Sequence, residues 1–220
     1  MSRSSPWLLL QLADGTFPSG GFAHSAGLEA TMVLGGLSPS GDPTARFLDA
    51  SLQQIGRTAL PFVRACSIDP ARLPELDEAC DATIPMLTPN RSSRAQGRAL
   101  ASAAARTWTT LAPIAEHARS GVAHHAPIFG SIFGVLGIAP DDTVAAYLHG
   151  ATRGILSAAV RLGLLGPLEA QRLHAERAPL LDSIADAARR LEPEDAAQTA
   201  PLLEIFASLH DRLDGRMFQS

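Results

Sequence analysis

The sequence has no lysine; all eighteen of its basic residues are arginines. That absence removes several chemistries at once. A phosphate-binding P-loop needs a lysine at the phosphates, and Schiff-base catalysis and Ser–Lys dyads need one as nucleophile or base. Cysteine is nearly as scarce, with only Cys66 and Cys80 in the chain. They form no CxxC and no zinc-ligand pattern, so they read as two small buried hydrophobes. Charged residues make up 18% of the chain, against ~25% in a typical globular protein. A chain so short of charge is expected to cover part of its surface with another chain. Aromatics are 5% and the basic residues are dispersed, so no nucleic-acid-binding stripe exists. No apolar run approaches the ~18 residues of a membrane helix. The opening MSRSSPW lacks the apolar stretch of a signal peptide, and a reducing cytoplasm is the expected location. Period-2 alternation and Asn-Gly hairpin signals are missing too.

What remains is helical periodicity. The 220 residues fit one domain with its own core. We expect an all-α, single-domain bundle of about eight to ten helices over residues 1–220, with a flexible N-terminus (1–6) and C-terminal tail (214–220). Helices are predicted at Leu8–Leu12, Phe22–Leu34, Ala45–Leu60, Phe62–Ile68, Leu73–Ile84, Ser92–Thr110 and Pro113–Ser120. Others follow at Ile128–Gly137, from Pro140 to Leu162, and around Leu168–Glu176, Leu180–Leu191 and Pro201–Leu213. Gly121–Pro127 reads as a loop carrying His124 and His125.

One stretch organises the rest: Leu9–Ala30, LLQLADGTFPSGGFAHSAGLEA. Asp14, Gly15, Pro18, Ser19, Gly20 and Gly21 crowd far too much turn chemistry into it for a helix interior, where Gly costs about 1 kcal/mol and Pro about 3. It reads as a rigid Pro-Gly elbow between two helices. His24 and Ser25 are adjacent, and neighbours on a helix diverge by about 100°, so they make no dyad. Glu29, amid Ala26, Leu28, Ala30 and Met32, is either on the solvent face or buried with a partner. Arg153 reads as the exposed face of a long helix. His117, His124 and His125 suggest a metal cluster, but no H-x-x-x-H or H-E-x-x-H spacing supports one. The plainer reading is a loop with one buried and one exposed histidine.

Four islands of this sequence resemble the urease accessory protein UreF family, in its plant-like branch. The first is the elbow, with Leu9–Leu12, Pro18 to Phe22, and Gly27–Leu28–Glu29. The second is NRSSRAQGRAL, with Arg91, Ser93, Gln96 and Gly97. The third runs from Gly121 to Pro167 through His125, Pro127, Gly130, Arg153, Ser157, Arg161 and Gly166. The fourth is His210 followed by Arg216, Met217, Phe218, Gln219 and Ser220. It is similar to the family's His then R-L-F-R-S ending, from which Met217 and Gln219 depart. Together, and in this order, they cover nearly the whole chain.

The resemblance implies a dimeric, non-catalytic maturation factor that bridges UreD (also called UreH) and the nickel-carrying GTPase UreG on apo-urease. It implies regulation of GTP hydrolysis and no tightly bound cofactor, with nickel at most in transit. Partner-binding residues would be Pro18, Gly20, Gly21, Phe22, His24, Glu29, Arg91, Gln96, Arg153, Arg216 and Phe218, the last two as tail anchors. Two other readings stand beside it. One is a generic helical interaction module. The other is a metal-dependent hydrolase using His24, His124, His125 and Glu29.

Overall fold

The computed structural model describes residues 6–37 and 42–219. Twelve α-helices and no strands are present among them. In chain order they are α1 (Pro6–Ala13), α2 (Leu28–Val33), α3 (Pro43–Thr58), α4 (Leu60–Ile68), α5 (Leu73–Thr83), α6 (Leu87–Thr107), α7 (Ala112–Ser120), α8 (His125–Val135), α9 (Pro140–Arg161), α10 (Pro167–Glu176), α11 (Ala178–Ala188) and α12 (Pro201–Ser208). The all-α expectation holds; the count is slightly above the eight to ten expected and equals the number of helical spans predicted. Most of the N-terminus expected to be flexible, and part of the loop before α3, lie outside the described residues.

Helix α8 sits at the centre. Every residue from Ala126 to Phe133 is buried, as expected of a helix that is apolar all round. It crosses α4 at close range because Gly130 and Gly134 lack side chains. A β-carbon on Gly130 would strike the Val63 carbonyl, and one on Gly134 would meet the Ser67 carbonyl at 2.6 Å. α6, α7, α5 and α9 pack around this crossing. Cys66 and Cys80 are free and buried in the same core. Burial pushes the Cys66 thiol up to about 12 and raises the Cys80 thiol as well, which disfavours the reactive thiolate at both.

Prolines set several helix starts, and here the sequence reading needs correction. α6 begins at Leu87 rather than Ser92, and α8 at His125 rather than Ile128. Pro89 and Pro127 stand in first turns, where a missing N–H costs no helical hydrogen bond. Pro61 stands in the first turn of α4, which begins at Leu60. The single helix expected over Phe22–Leu34 is in fact a short 3₁₀ turn at Gly21–Ala23, an extended link, and α2. Ala26 (φ 54°) and Gly27 (φ 82°) are both left-handed, and no α-helix runs through two such residues.

Gly97 has a different constraint. The carbonyl of Ala123 lies against its α-carbon, so a β-carbon there would overlap that oxygen. We expect Gly97→Ala to destabilise the fold by at least ~2 kcal/mol, read as a lower urea midpoint with an unchanged slope. Wild-type stability in that variant would show that the α6–α8 junction yields easily.

Candidate functional site

The elbow roofs a cavity of about 780 Å³, walled by α3, α6, α8, α9 and α12. Pro18, Gly20, Gly21, Phe22, His24, Gln96 and Arg153 all line it. Local chemistry fixes the roof. Asp14 Oδ1 accepts from the Thr16 amide at 2.6 Å and the Thr16 hydroxyl at 2.7 Å, holding its carboxyl below the usual range. Arg153 is not on an open face: its Nη1 donates to the Ala13 carbonyl at 3.1 Å, capping α1, and its guanidinium lies where a β-carbon on Gly15 would point. Gly20 (φ 77°) turns the chain beside Ala99. His24 Nδ1 is 2.9 Å from the Ser92 hydroxyl, to which Gln96 Nε2 donates at 3.2 Å. Burial, and then His210, lower the His24 pKa, which favours the neutral imidazole.

A second constellation joins the tail to α2. Glu29 is only 4% exposed. Its carboxylate accepts from the Met217 amide at 2.7 Å, the Phe218 amide at 3.1 Å and His210 Nε2 at 2.9 Å. Burial pushes its pKa up, but these three donors outweigh burial and hold it below the ordinary value. Of the two placements open in the sequence, Glu29 is buried with partners. Asp211 accepts from Arg91 at 2.8 Å and Arg216 at 3.0 Å, so these two arginines share one carboxylate at the tail's root.

Arg161 links the two constellations. Its guanidinium lies 3.9 Å from the Phe22 ring centroid and 4.1 Å from that of Phe218. Phe22 is 73% exposed and Phe218 only 5%, so the cation joins a surface ring of the elbow to a buried ring of the tail. The Gln219 amide adds a hydrogen bond to the Ala23 carbonyl at 2.8 Å. All eleven residues singled out in the sequence therefore lie on one interlocked unit. Arg161, His210 and Asp211 complete it. The sequence offered Arg161 only as a member of the third island and His210 only by its place ahead of Arg216 and Phe218, and it gave no sign of Asp211.

The three histidines serve elsewhere. Asp77, fully buried on α5, accepts from the Ala123 and His124 amides at 2.6 and 2.7 Å and from His117 Nε2 at 2.7 Å. His124, also fully buried, bridges Ser93 at 3.0 Å and Asp81 at 2.9 Å. His125 meets Phe129 edge-on and lies tilted against Tyr147, and burial pushes its pKa down to about 4. Neither His124 nor His125 is exposed, which corrects the expectation of one exposed histidine. Among the described residues no three His, Cys, Asp or Glu side chains converge as a ligand set. His117, His124 and Ser93 instead order the entry to α8.

A family model described as UreF matches residues 40–178. Urease accessory protein F of Arabidopsis thaliana is 33% identical over 231 residues, spanning 100% of this chain and 96% of that protein. The chain belongs to the UreF family. Urease accessory protein F of Oryza sativa subsp. indica is also 33% identical, over 99% of this chain and 86% of its own. UreF of Mycobacterium sp. (strain JLS) is 32% identical over 96% and 97% respectively. In UreF terms, the elbow, the Gln-Gly island, the long helix and the tail are distant in sequence and contiguous in space. No helix among the described residues is long and apolar enough to cross a membrane.

Proposed function

We propose that this chain is a non-catalytic urease maturation factor. It bridges UreD/UreH and the GTPase UreG, regulates GTP hydrolysis, and promotes nickel insertion into apo-urease. It acts as a homodimer in the cytoplasm, holds no cofactor tightly, and meets nickel only in transit. The observation that carries this reading is family membership over essentially the whole chain, with the elbow and tail islands meeting through Arg161. The missing lysine fits, because the phosphate-binding lysine of a GTPase belongs to the partner. The exposed Phe22 ring and the Arg91 and Arg216 guanidinium groups are of the type that anchors interfaces.

Co-expression of the tagged chain with the UreD/UreH and UreG proteins of its host tests this. One complex eluting in size exclusion is expected. Elution of the chain alone, with both partners soluble, sinks the scaffold reading and favours a generic interaction module. Deleting residues 216–220 is expected to leave the helical circular dichroism intact and to weaken UreD/UreH capture at least tenfold. Unchanged capture would remove the tail from the interface.

A further inference from the structure

One wall of the cavity has no role in that reading. It is built by α9, whose Tyr147, Gly150, Ala151, Gly154 and Ser157 line the space beneath the elbow. Gly150 and Gly154 lie one turn apart inside a helix of 22 residues, where glycine is the least favourable residue after proline. Their neighbours do not require it. A β-carbon on either would meet nothing within 4 Å, unlike one on Gly97, Gly130 or Gly134. Neither has a positive φ. Two helical glycines that weaken their helix and face empty space make sense if an occupant lies against the bare backbone.

The adjoining wall carries polar groups left without partners. The His125 and Tyr147 ring centroids are 5.3 Å apart, and Phe129 meets Tyr147 edge-on at 5.1 Å. All three line the cavity. Among the described residues neither the His125 imidazole nor the Tyr147 hydroxyl makes a hydrogen bond, and their polar atoms keep accessible surface. Burial pushes the His125 pKa down to about 4 and the Tyr147 pKa up, so both side chains are uncharged at neutral pH. The wall thus offers flat aromatic faces and two neutral groups that can each donate or accept.

We infer that the cavity binds a neutral, flat aromatic molecule with a hydrogen-bonding edge. Its face lies on the backbone at Gly150 and Gly154, and its polar edge turns to Tyr147, one turn before Gly150, and to His125. A volume of about 780 Å³ is that of a small-molecule site. A partner's helix, about 10–12 Å across, would have to lift the elbow, which Arg153 ties to α9 at Ala13 and Arg161 holds at Phe22. The inference does not depend on the scaffold reading, because the isolated full-length chain tests it.

The probe is 2-naphthol. The control is decahydro-2-naphthol, which has the same carbon skeleton and hydroxyl but puckered rings. In calorimetric titration we expect saturable one-to-one binding of 2-naphthol, at least tenfold tighter than the control. The Gly150 and Gly154 amide resonances should shift on binding. Tyr147→Phe keeps the ring, removes the hydroxyl and should weaken binding about fivefold. The double variant Gly150→Ala, Gly154→Ala should weaken binding at least tenfold. Without ligand it should melt about 4 °C higher than wild type, because alanine favours the helix and strikes nothing. That opposition separates loss of the site from loss of the fold. Equal binding of the two alcohols, undiminished affinity in the double variant, or a lower melting midpoint in it would each overturn the inference. So would absence of 2-naphthol binding; loss of UreD/UreH capture in the double variant would then assign the glycine wall to a partner's helix.

Discussion

Asp77→Ala should lower the free energy of unfolding by about 3–5 kcal/mol, the usual cost of removing one partner from a buried charged network. For a chain of this size that is roughly 10 °C in melting midpoint. The cause lies at the start of α8. The first N–H groups of a helix have no partner within it, and here α5 supplies one from outside. With Asp77 gone, the Ala123 and His124 amides lose their acceptor where water does not reach, and His117 Nε2 loses its partner too. Ala123 is also left-handed (φ 68°), a conformation that costs a non-glycine residue 1–2 kcal/mol and persists only while its surroundings impose it. Equilibrium urea unfolding measures the loss. A change below 1 kcal/mol would show that the loop holds itself.

Glu29→Gln should release the tail while leaving the bundle folded. An amide oxygen in the place of Oε2 still accepts from Phe218 and His210, but its NH₂ then faces the Met217 amide, and the reverse placement loses two donors. We expect amide hydrogen exchange at Met217, Phe218 and Gln219 to speed up roughly 100-fold, about 3 kcal/mol of lost local stability. Exchange in α8 should stay unchanged. The pH dependence follows from the direction of the Glu29 shift. Its folded-state pKa lies below the unfolded one, so its stabilising contribution is fully present above the unfolded pKa. It is lost as pH falls through the folded pKa. Tail protection should therefore be flat across neutral pH and collapse only in acid, below the ordinary carboxylate range. In Glu29→Gln this acid step should vanish. An acid step that survives the substitution would assign it to another group, with Asp211, also held below its ordinary value, the first to examine.

The helices were legible because their cause is local. Periodic apolar faces, proline starts and glycine stops lie within a few residues of what they determine. The elbow was legible too, since Pro18, Gly20 and Gly21 forbid a continuous helix. Its exit was misread because Ala26, left-handed in the structure, carries no sign of that backbone in its residue type. Glu29 could not be decided from sequence because its partners lie more than 180 residues away. Arg153 looked like a surface arginine for the same reason, its acceptor being the last carbonyl of α1. Asp77 gave no signal at all. An acid whose role is to accept from a distant backbone looks like any helical acid.

The placement of Arg161 between Phe22 and Phe218 has a mechanical consequence. The two rings come from opposite ends of the chain, so one cation works as a buckle that closes the polypeptide on itself. Tension applied to the tail would reach the elbow ring through a single side chain at the end of α9. A partner that grips the tail thus holds a lever on the cavity roof, and one that lifts the roof slackens the tail, although neither need touch the other's binding surface.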